Sequence, residues 1–596
     1  MIDPRIYRAA LVPVLFAFVL LAFSLENRPQ PIRTPLAPDA FQGDRAFDRA
    51  YESGNGLSAR FPDRRPGSDG DNRLAEEIAS QMRRSQGFRV RTVEREHDTI
   101  DGRQTLRTVI ARRPGTIDEQ IVVVAHRDAA GRRAEAELSG TAALLELTRI
   151  FGAPRQARHT LTLVSTSGGS GGAEGAADLA GELSGLPVGA VLVLGDLASR
   201  VVRAPLVTPW SNALGASPQR LRATVQEALR VETGSGSGAP RALSQFARFA
   251  MPATFGEQGA LLSRGLPAVL LSIGGDRAPA ADAAISRERL ETFGRAALRT
   301  VTALDAEPAS RPITAEASSR DLLTSRKIVP VWAIALFTGA LLLTVLVTAV
   351  DGFAALLRRR EPIGPWLRWT LAGALPFLLA ALFAWLLRAV GLLDAPGAPV
   401  APQALPASLP ALLAVTLVFV LGWAWLRPAV TRLVRADPGA REETGAAPVA
   451  IVLVATAVAI VMWIANPYAA ALLIPALHIW LFALAPELRM ARALRVFVAL
   501  LGVLPAAAVA FGLARSLGLD GLDAAWELVL LIAGGHISPL SVLLWSIFAG
   551  CGVSAALVAA RGGIPADADE IPITVRGPKT YAGPGSLGGT ESALRR

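Results

Sequence analysis

Residues 121–151 read IVVVAHRDAAGRRAEAELSGTAALLELTRIF. Ile121, Val122, Val123 and Val124 make a short β-branched run of the kind that fills a central strand. His126 and Asp128 follow where that strand should end. In open α/β sheets the carboxyl ends of the strands are where ligands bind. From Ser139 the apolar residues Ala142, Leu145 and Ile150 fall close to helical spacing, and Ala143, Leu144 and Leu147 widen the face. The stretch reads as a buried strand, a polar loop and a helix.

The flanking residues repeat this alternation. A helix is expected over 72–84, where Leu74, Ile78 and Met82 stand four apart. Strands over 88–93 and 105–111 precede the central run, and strands over 159–165, 188–194 and 268–273 follow it. Gly195-Asp196 ends one of them, and a helix over 287–304 closes the series. This order argues for an α/β doubly wound, mostly parallel sheet covered on both faces, within residues 41–306.

Outside that region the chain changes character. Apolar residues are 51% of the whole, and long uncharged runs crowd the second half. Residues 1–25 hold a basic start, Arg5 and Arg8, and then an apolar core, which reads as a transmembrane anchor or a cleavable signal. Residues 26–40 and 307–327 read as linkers. Residues 328–561 read as an all-α transmembrane bundle of about seven helices, with apolar runs near 331–350, 369–387, 409–426, 449–464, 469–484, 496–514 and 539–560. The short run 526–532 is a re-entrant or interfacial candidate. Residues 562–596 are Gly- and Pro-rich and are expected to be a disordered tail.

Arginines alternate between the loops of this bundle. Arg358, Arg359, Arg360 and Arg368 fill the first, none stands over 394–408, and Arg427, Arg432, Arg435 and Arg441 fill the third. Residues 466–468 are uncharged, Arg489, Arg492 and Arg495 fill the fifth loop, and the sixth has only Arg515. By the positive-inside rule this is a multi-pass plasma membrane protein with both termini cytoplasmic and the α/β domain extracytoplasmic. The net charge of +10 is nearly all Arg, with Lys327 and Lys579 the only lysines, so it reads as loop charge and not as a nucleic-acid surface. Cys551 stands alone, which leaves no intrachain disulfide and no Cys zinc site.

The stretch 121–151 resembles the co-catalytic zinc aminopeptidases (metallopeptidase family twenty-eight, clan MH). His126-Arg127-Asp128 matches that family's His-x-Asp, and Ser139-Gly140 matches the end of its DNxSG motif. PGSDGDNRLAEEIASQMRRSQGFRV (66–90) and GLPAVLLSIGG (265–275) are also close to it. The layout is similar to the membrane-bound branch, such as the GPI-transamidase subunit and nicalin, whose aminopeptidase-like domains lack a full metal set and act in assemblies.

The resemblance implies two metals about 3.5–4 Å apart, bridged by one carboxylate. His126 matches the first His ligand, Asp196 a retained Asp ligand, and Asp128 the acid that orients His126. Ala136 stands where the bridging Asp would be, and Gly168-Gly169 stand where a Glu-Glu pair would supply the base and a ligand. Asp276-Arg277-Ala278-Pro279 stands where the last His would be, and no His lies between His159 and His478. Three of five ligands and the base are therefore gone, and a zinc site normally needs four ligands, or three and water. Glu135, Glu137 and Glu174 are the neighbours that would have to substitute.

The remaining candidates have plainer readings. Ser165, Ser167 and Ser170 lie among glycines with no nucleophile elbow, so they read as loop. Residues 168–172 are a Gly-rich stretch that would cradle an anion only at a helix start. His478 lies in an apolar run, where it is either functional or packed on another helix. His536 and Glu527 are expected at the membrane edge, and His97 and His159 at the surface or a strand edge.

The reading that follows is a membrane-anchored, aminopeptidase-like, non-catalytic protein, with no cofactor. It would bind a peptide, a partner or a lipid-linked substrate at the old cleft. An active zinc exopeptidase with a rearranged site is the alternative, and a transporter-like bundle with a sensor domain is a third.

Overall fold

The computed structural model describes residues 4–33, 40–132, 134–153, 157–236, 242–308, 310–314, 318–324, 326–394, 396–434, 446–485, 488 and 490–561. Arg435, Arg441 and Arg489, part of the charge alternation, and the tail 562–596 lie outside these residues. Ten strands form. They are β1 (Glu26–Asn27), β2 (Arg89–Thr99), β3 (Gly102–Arg113), β4 (Ile117–His126), β5 (His159–Thr166), β6 (Val188–Leu194), β7 (Val207–Thr208), β8 (Ala268–Leu271), β9 (Leu322–Leu323) and β10 (Lys327–Val329).

β4 contains the apolar run and lies mid-sheet, in a seven-stranded order β2-β3-β5-β4-β6-β8-β7. Its side chains alternate between two cores, as strand geometry requires. Ile121, Val123 and Ala125 pack with Leu138, Ala142 and Leu145 on one face. Val122 and Val124 pack with Leu179, Leu261 and Ala176 on the other. Helix Ser139–Phe151 thus covers one face, and Glu174–Glu182 and Glu257–Ser263 the other. The sheet is mixed. β5, β4, β6 and β8 are parallel, while β2, β3 and β7 join antiparallel.

The β2–β3 hairpin runs further than its apolar residues suggest, because its outer half is held by cross-strand ion pairs. Glu94 lies 2.9 Å from Arg107, its direct partner, and Glu96 lies 3.0 Å from Arg103. His159 departs from expectation. It is buried at the start of β5, its ring 3.5 Å from both Glu119 and Asp305, and its amide donates to Asp305 at 2.8 Å. The stretches read as linkers contain a small sheet, β1-β10-β9, which ties the chain leaving the first apolar helix to the chain entering the next.

Six helices among the described residues are long and apolar enough to cross a membrane: Arg5–Phe23, Val331–Arg358, Gly364–Ala389, Leu409–Leu433, Ala446–Ala465 and Pro539–Arg561. Arg492–Leu501 and Leu504–Leu517 make a seventh if taken as one span bent by 47°, and Pro467–Ala483 is a shorter apolar helix. Helices Val331–Arg358, Ala446–Ala465, Pro467–Ala483 and Pro539–Arg561 share a core that holds Trp480, stacked on Phe548 with centroids 5.5 Å apart. His478 packs there against the first helix, with the Tyr7 hydroxyl 2.8 Å from its Nδ1.

The α/β domain sits directly on this bundle. Tyr468 stacks on Phe249 at 4.9 Å and donates its hydroxyl to the Arg320 carbonyl at 2.6 Å. Asn466 donates to the Phe249 carbonyl at 2.8 Å. Arg277 donates to the carbonyls of Arg515 at 2.7 Å and Ser516 at 3.1 Å.

Candidate functional site

The carboxyl ends of β4, β6 and β8 open into a cavity of about 70 Å³ lined by His126, Glu137, Asp196 and Glu257. His126 ends β4 and is 9% exposed. Its Nδ1 lies 3.1 Å from the Asp128 carbonyl and 3.7 Å from the Asp128 carboxylate. Its Nε2, the nitrogen a metal would use, lies 3.3 Å from the carboxylate of Glu137.

Burial works against charge on this imidazole, but Asp128, Glu137 and Glu257 outweigh it and push the value up to about 10. Burial, with Asp128 and Asp196 nearby, raises Glu137 to about 7 against the pull of His126 and Arg64. The acids around His126 therefore favour its charged form.

Ala136 lies in a one-turn 3-10 helix, Ala136–Leu138, closed by the Ser139 hydroxyl donating to the Ala136 carbonyl at 2.5 Å. That turn aims Glu137 at His126. The other candidate substitutes point elsewhere. Glu135 is exposed, and Glu174 faces His97 and the amide of Gly397.

Asp128 is fully buried and has another task than orienting His126. It accepts the amides of Gly169 at 3.0 Å and Ser170 at 2.9 Å, and the Ser170 hydroxyl. Burial alone would raise its carboxyl, but His126 and Ser170 hold it at about 2. The loop it fixes presses on the imidazole. A Cβ at Gly169 would come within 2.4 Å of the His126 Cβ and 2.5 Å of its Cγ. Gly168, at φ +83°, makes the turn. Ser167 donates to Asp71, so Ser167 and Ser170 are structural.

Asp196 ends β6 in the same cavity. One oxygen accepts the amides of Ala198 and Ser199, both at 2.9 Å, and the other has no hydrogen-bond partner. Burial raises its pKa. Asp276 is spent on Arg248, 2.6 Å away, and on the Thr254 hydroxyl. Among the described residues no group of three or more His, Cys, Asp or Glu is placed to hold a metal ion. With Nε2 facing Glu137 and the Gly169 backbone against the ring, the residues do not fit a two-metal centre.

Sequence reading missed three contributors. Glu257 opens its helix, accepts the Thr166 hydroxyl at 2.6 Å, and leaves its second oxygen without a hydrogen bond. Arg127 and Asp71 form a fully buried pair 2.8 Å apart beneath His126. Arg127 also donates to the carbonyls of Arg107 at 2.7 Å and Ser165 at 3.3 Å, joining β4 to β3 and β5. The only hint was their place, between the two matched residues and inside the stretch 66–90.

No protein-family profile matches the chain. No curated protein matches it. Among solved structures it is similar to bacterial glutaminyl cyclases and a zinc aminopeptidase. The glutaminyl cyclase of Porphyromonas gingivalis is 16% identical, with 44% of this chain and 99% of that one covered and a TM-score of 0.31. That of Fimbriiglobus ruber is 17% identical, covering 46% and 98%, TM-score 0.33. The zinc aminopeptidase of Bacillus subtilis is 13% identical, covering 48% and 98%, TM-score 0.35. Each match covers less than half of this chain.

The cavity has a roof that comes from the bundle. Pro399, Val400 and Ala401 line it, in the segment between helices Leu375–Ala389 and Leu409–Leu421. The Gly397 amide donates to Glu174, and the Pro396 carbonyl lies 3.0 Å from His536. Val400 packs with Ile100, and Ala401 with Phe255, Leu513 and Leu517. The acids thus face a small, partly open chamber between the domain and the membrane helices.

Proposed function

We propose that this chain is a non-catalytic, membrane-anchored binding protein with an aminopeptidase-like domain. Its cleft receives a peptide, a partner or a lipid-linked substrate, from the side where bundle and domain meet. The observation that carries this reading is the state of His126: its Nε2 faces Glu137 at 3.3 Å, with the Gly169 backbone against the ring. A water-activating centre needs a base within reach of a bound water and a metal or oxyanion donor beside it. Here Asp128 and Glu137 surround the imidazole instead.

The Arg alternation supports an extracytoplasmic domain in a plasma membrane protein. Four acids line the chamber, Glu137, Asp196, Glu257 and Asp276, against His126 and Arg277, so a positively charged group, such as an ammonium, is the occupant it favours.

The test is metal analysis of the full chain purified in detergent without chelator, with an aminoacyl-anilide assay alongside. Substoichiometric zinc and no turnover are expected. Near-stoichiometric zinc that is lost in His126→Ala would replace this reading with a rearranged exopeptidase site on His126, Glu137 and Asp196.

A further inference from the structure

A second cluster lies away from the cleft, where the domain meets the first apolar helices. Arg222 stands in the first turn of helix Gln219–Thr233 and is 4% exposed. Its guanidinium sits over Trp210, 5.9 Å from the ring centroid. It makes no ion pair and no hydrogen bond among the described residues, and its Nε is buried without a partner. The charge that acts on it is that of another cation, Arg28. Arg28 is half-buried, its own Nε lacks a partner, and its Nη2 donates to the Thr324 carbonyl. Glu26, two residues away and exposed, pairs with neither.

A buried guanidinium without a carboxylate, beside a second cation, is unfavourable. Removing a charge from water costs several kcal/mol after relaxation, and like charges add to that. Burial and Arg28 together push Arg222 down to about 9, so at neutral pH it stays charged. Elsewhere the chain pairs its buried arginines with acids, as Arg127 with Asp71 and Arg248 with Asp276. Here the missing counter-charge must come from outside the described residues.

Position says what kind. Arg28 follows the helix that ends at Phe23, and Thr324 precedes β10 and the helix that starts at Val331. Trp210 packs in a cluster with Val331 and Ile334. The pair therefore sits where two candidate spans leave the domain. Arginine forks match phosphate oxygens. We propose that Arg222 and Arg28 bind a phosphate-bearing anion at this junction. An anionic lipid headgroup is the expected source and free phosphate the other.

The test is thermal unfolding of the full chain in nanodiscs of three kinds: phosphatidylcholine alone, phosphatidylcholine with phosphatidylglycerol, and phosphatidylcholine with inorganic phosphate in the buffer. A ligand of the folded state raises the midpoint by mass action. The wild type should gain a few degrees with phosphatidylglycerol, by about the amount expected of a ligand well above its Kd. A gain with inorganic phosphate alone would assign the site to the soluble anion.

Arg222→Met should abolish the gain and, in phosphatidylcholine, be at least as stable as wild type, because it removes an uncompensated charge. Arg28→Gln, being half-exposed, should fold and reduce the gain if Arg222→Met cannot be made. Arg326→Gln, an exposed charge nearby, should keep it. No gain in wild type with either additive, or a full gain in Arg222→Met or Arg28→Gln, overturns the proposal.

Discussion

Gly169 leaves no room for a side chain, because the His126 ring fills that space. Gly169→Ala should therefore destabilise the protein by about 1–3 kcal/mol, the usual cost of overpacking. In a His126→Gly background, which also removes the Cβ 2.4 Å away, the same change should cost less, and a double-mutant cycle by thermal or chemical unfolding measures the difference. Equal costs in both backgrounds would mean that the His126 side chain does not occupy the space. Asp128→Ala strips an acceptor from two half-buried amides and a hydroxyl. At about 1–3 kcal/mol for each buried group left unsatisfied, it should cost about 3 kcal/mol or more. The midpoint should then fall by on the order of 5–10 °C, and a change of a degree or less would deny Asp128 this anchoring role. That Ala136, Gly168 and Gly169 offer no metal-binding side chain was legible in the sequence, since each is visible as a letter. That Glu137 turns to His126 was not. It depends on one 3-10 turn, and Glu135, Glu137 and Glu174 looked equivalent in one dimension.

At the scale of elements, the central strands and covering helices could be read because burial on both faces forces continuous apolar runs. The outer half of the β2–β3 hairpin could not, because its polar faces carry no periodic signal and cross-strand charges hold it. His97, on that hairpin, shows how it docks. Its Nε2 lies 2.8 Å from Asp178 and its Nδ1 3.5 Å from Glu174, both on helix Glu174–Glu182. The hydrogen bond to Asp178, with the charges of Asp178 and Glu174, outweighs partial burial and raises the imidazole above its ordinary value. A raised value in the folded state means the charged form is the one stabilised. The contribution is then complete below about pH 6.5, where the unfolded chain is also protonated, and is lost as pH rises through the folded value. The midpoint difference between wild type and His97→Gln should be largest near about pH 6 and shrink with rising pH. A difference that grows with pH would contradict the pairing. The small sheet β1-β10-β9 escaped the sequence for a different reason: its strands of two or three residues cannot show a period, and they pair across the whole domain.

The whole molecule joins two arguments about sidedness that are independent of each other. Geometry puts residues 396–404 against the cleft, so the end of helix Leu409–Leu421 nearest Ser408 lies on the domain's side of the bundle. Charge then says which side of the membrane that is, since residues 394–408 carry no Lys or Arg and Arg427 and Arg432 lie at the far end of the same candidate span. Both can be tested with single cysteines, because Cys551 is buried. Ser53 is exposed on the domain and Leu433 is 83% exposed at the far end of the span. Ser53→Cys and Ser408→Cys should both react with a membrane-impermeant maleimide on intact cells, and Leu433→Cys only after permeabilisation. If Ser53→Cys and Ser408→Cys differ, the roof is not on the domain's side and the chamber between domain and bundle is lost. If they agree but label only after permeabilisation, the chamber stands, the orientation is reversed, and the arginine-rich loops face outward against the usual charge rule.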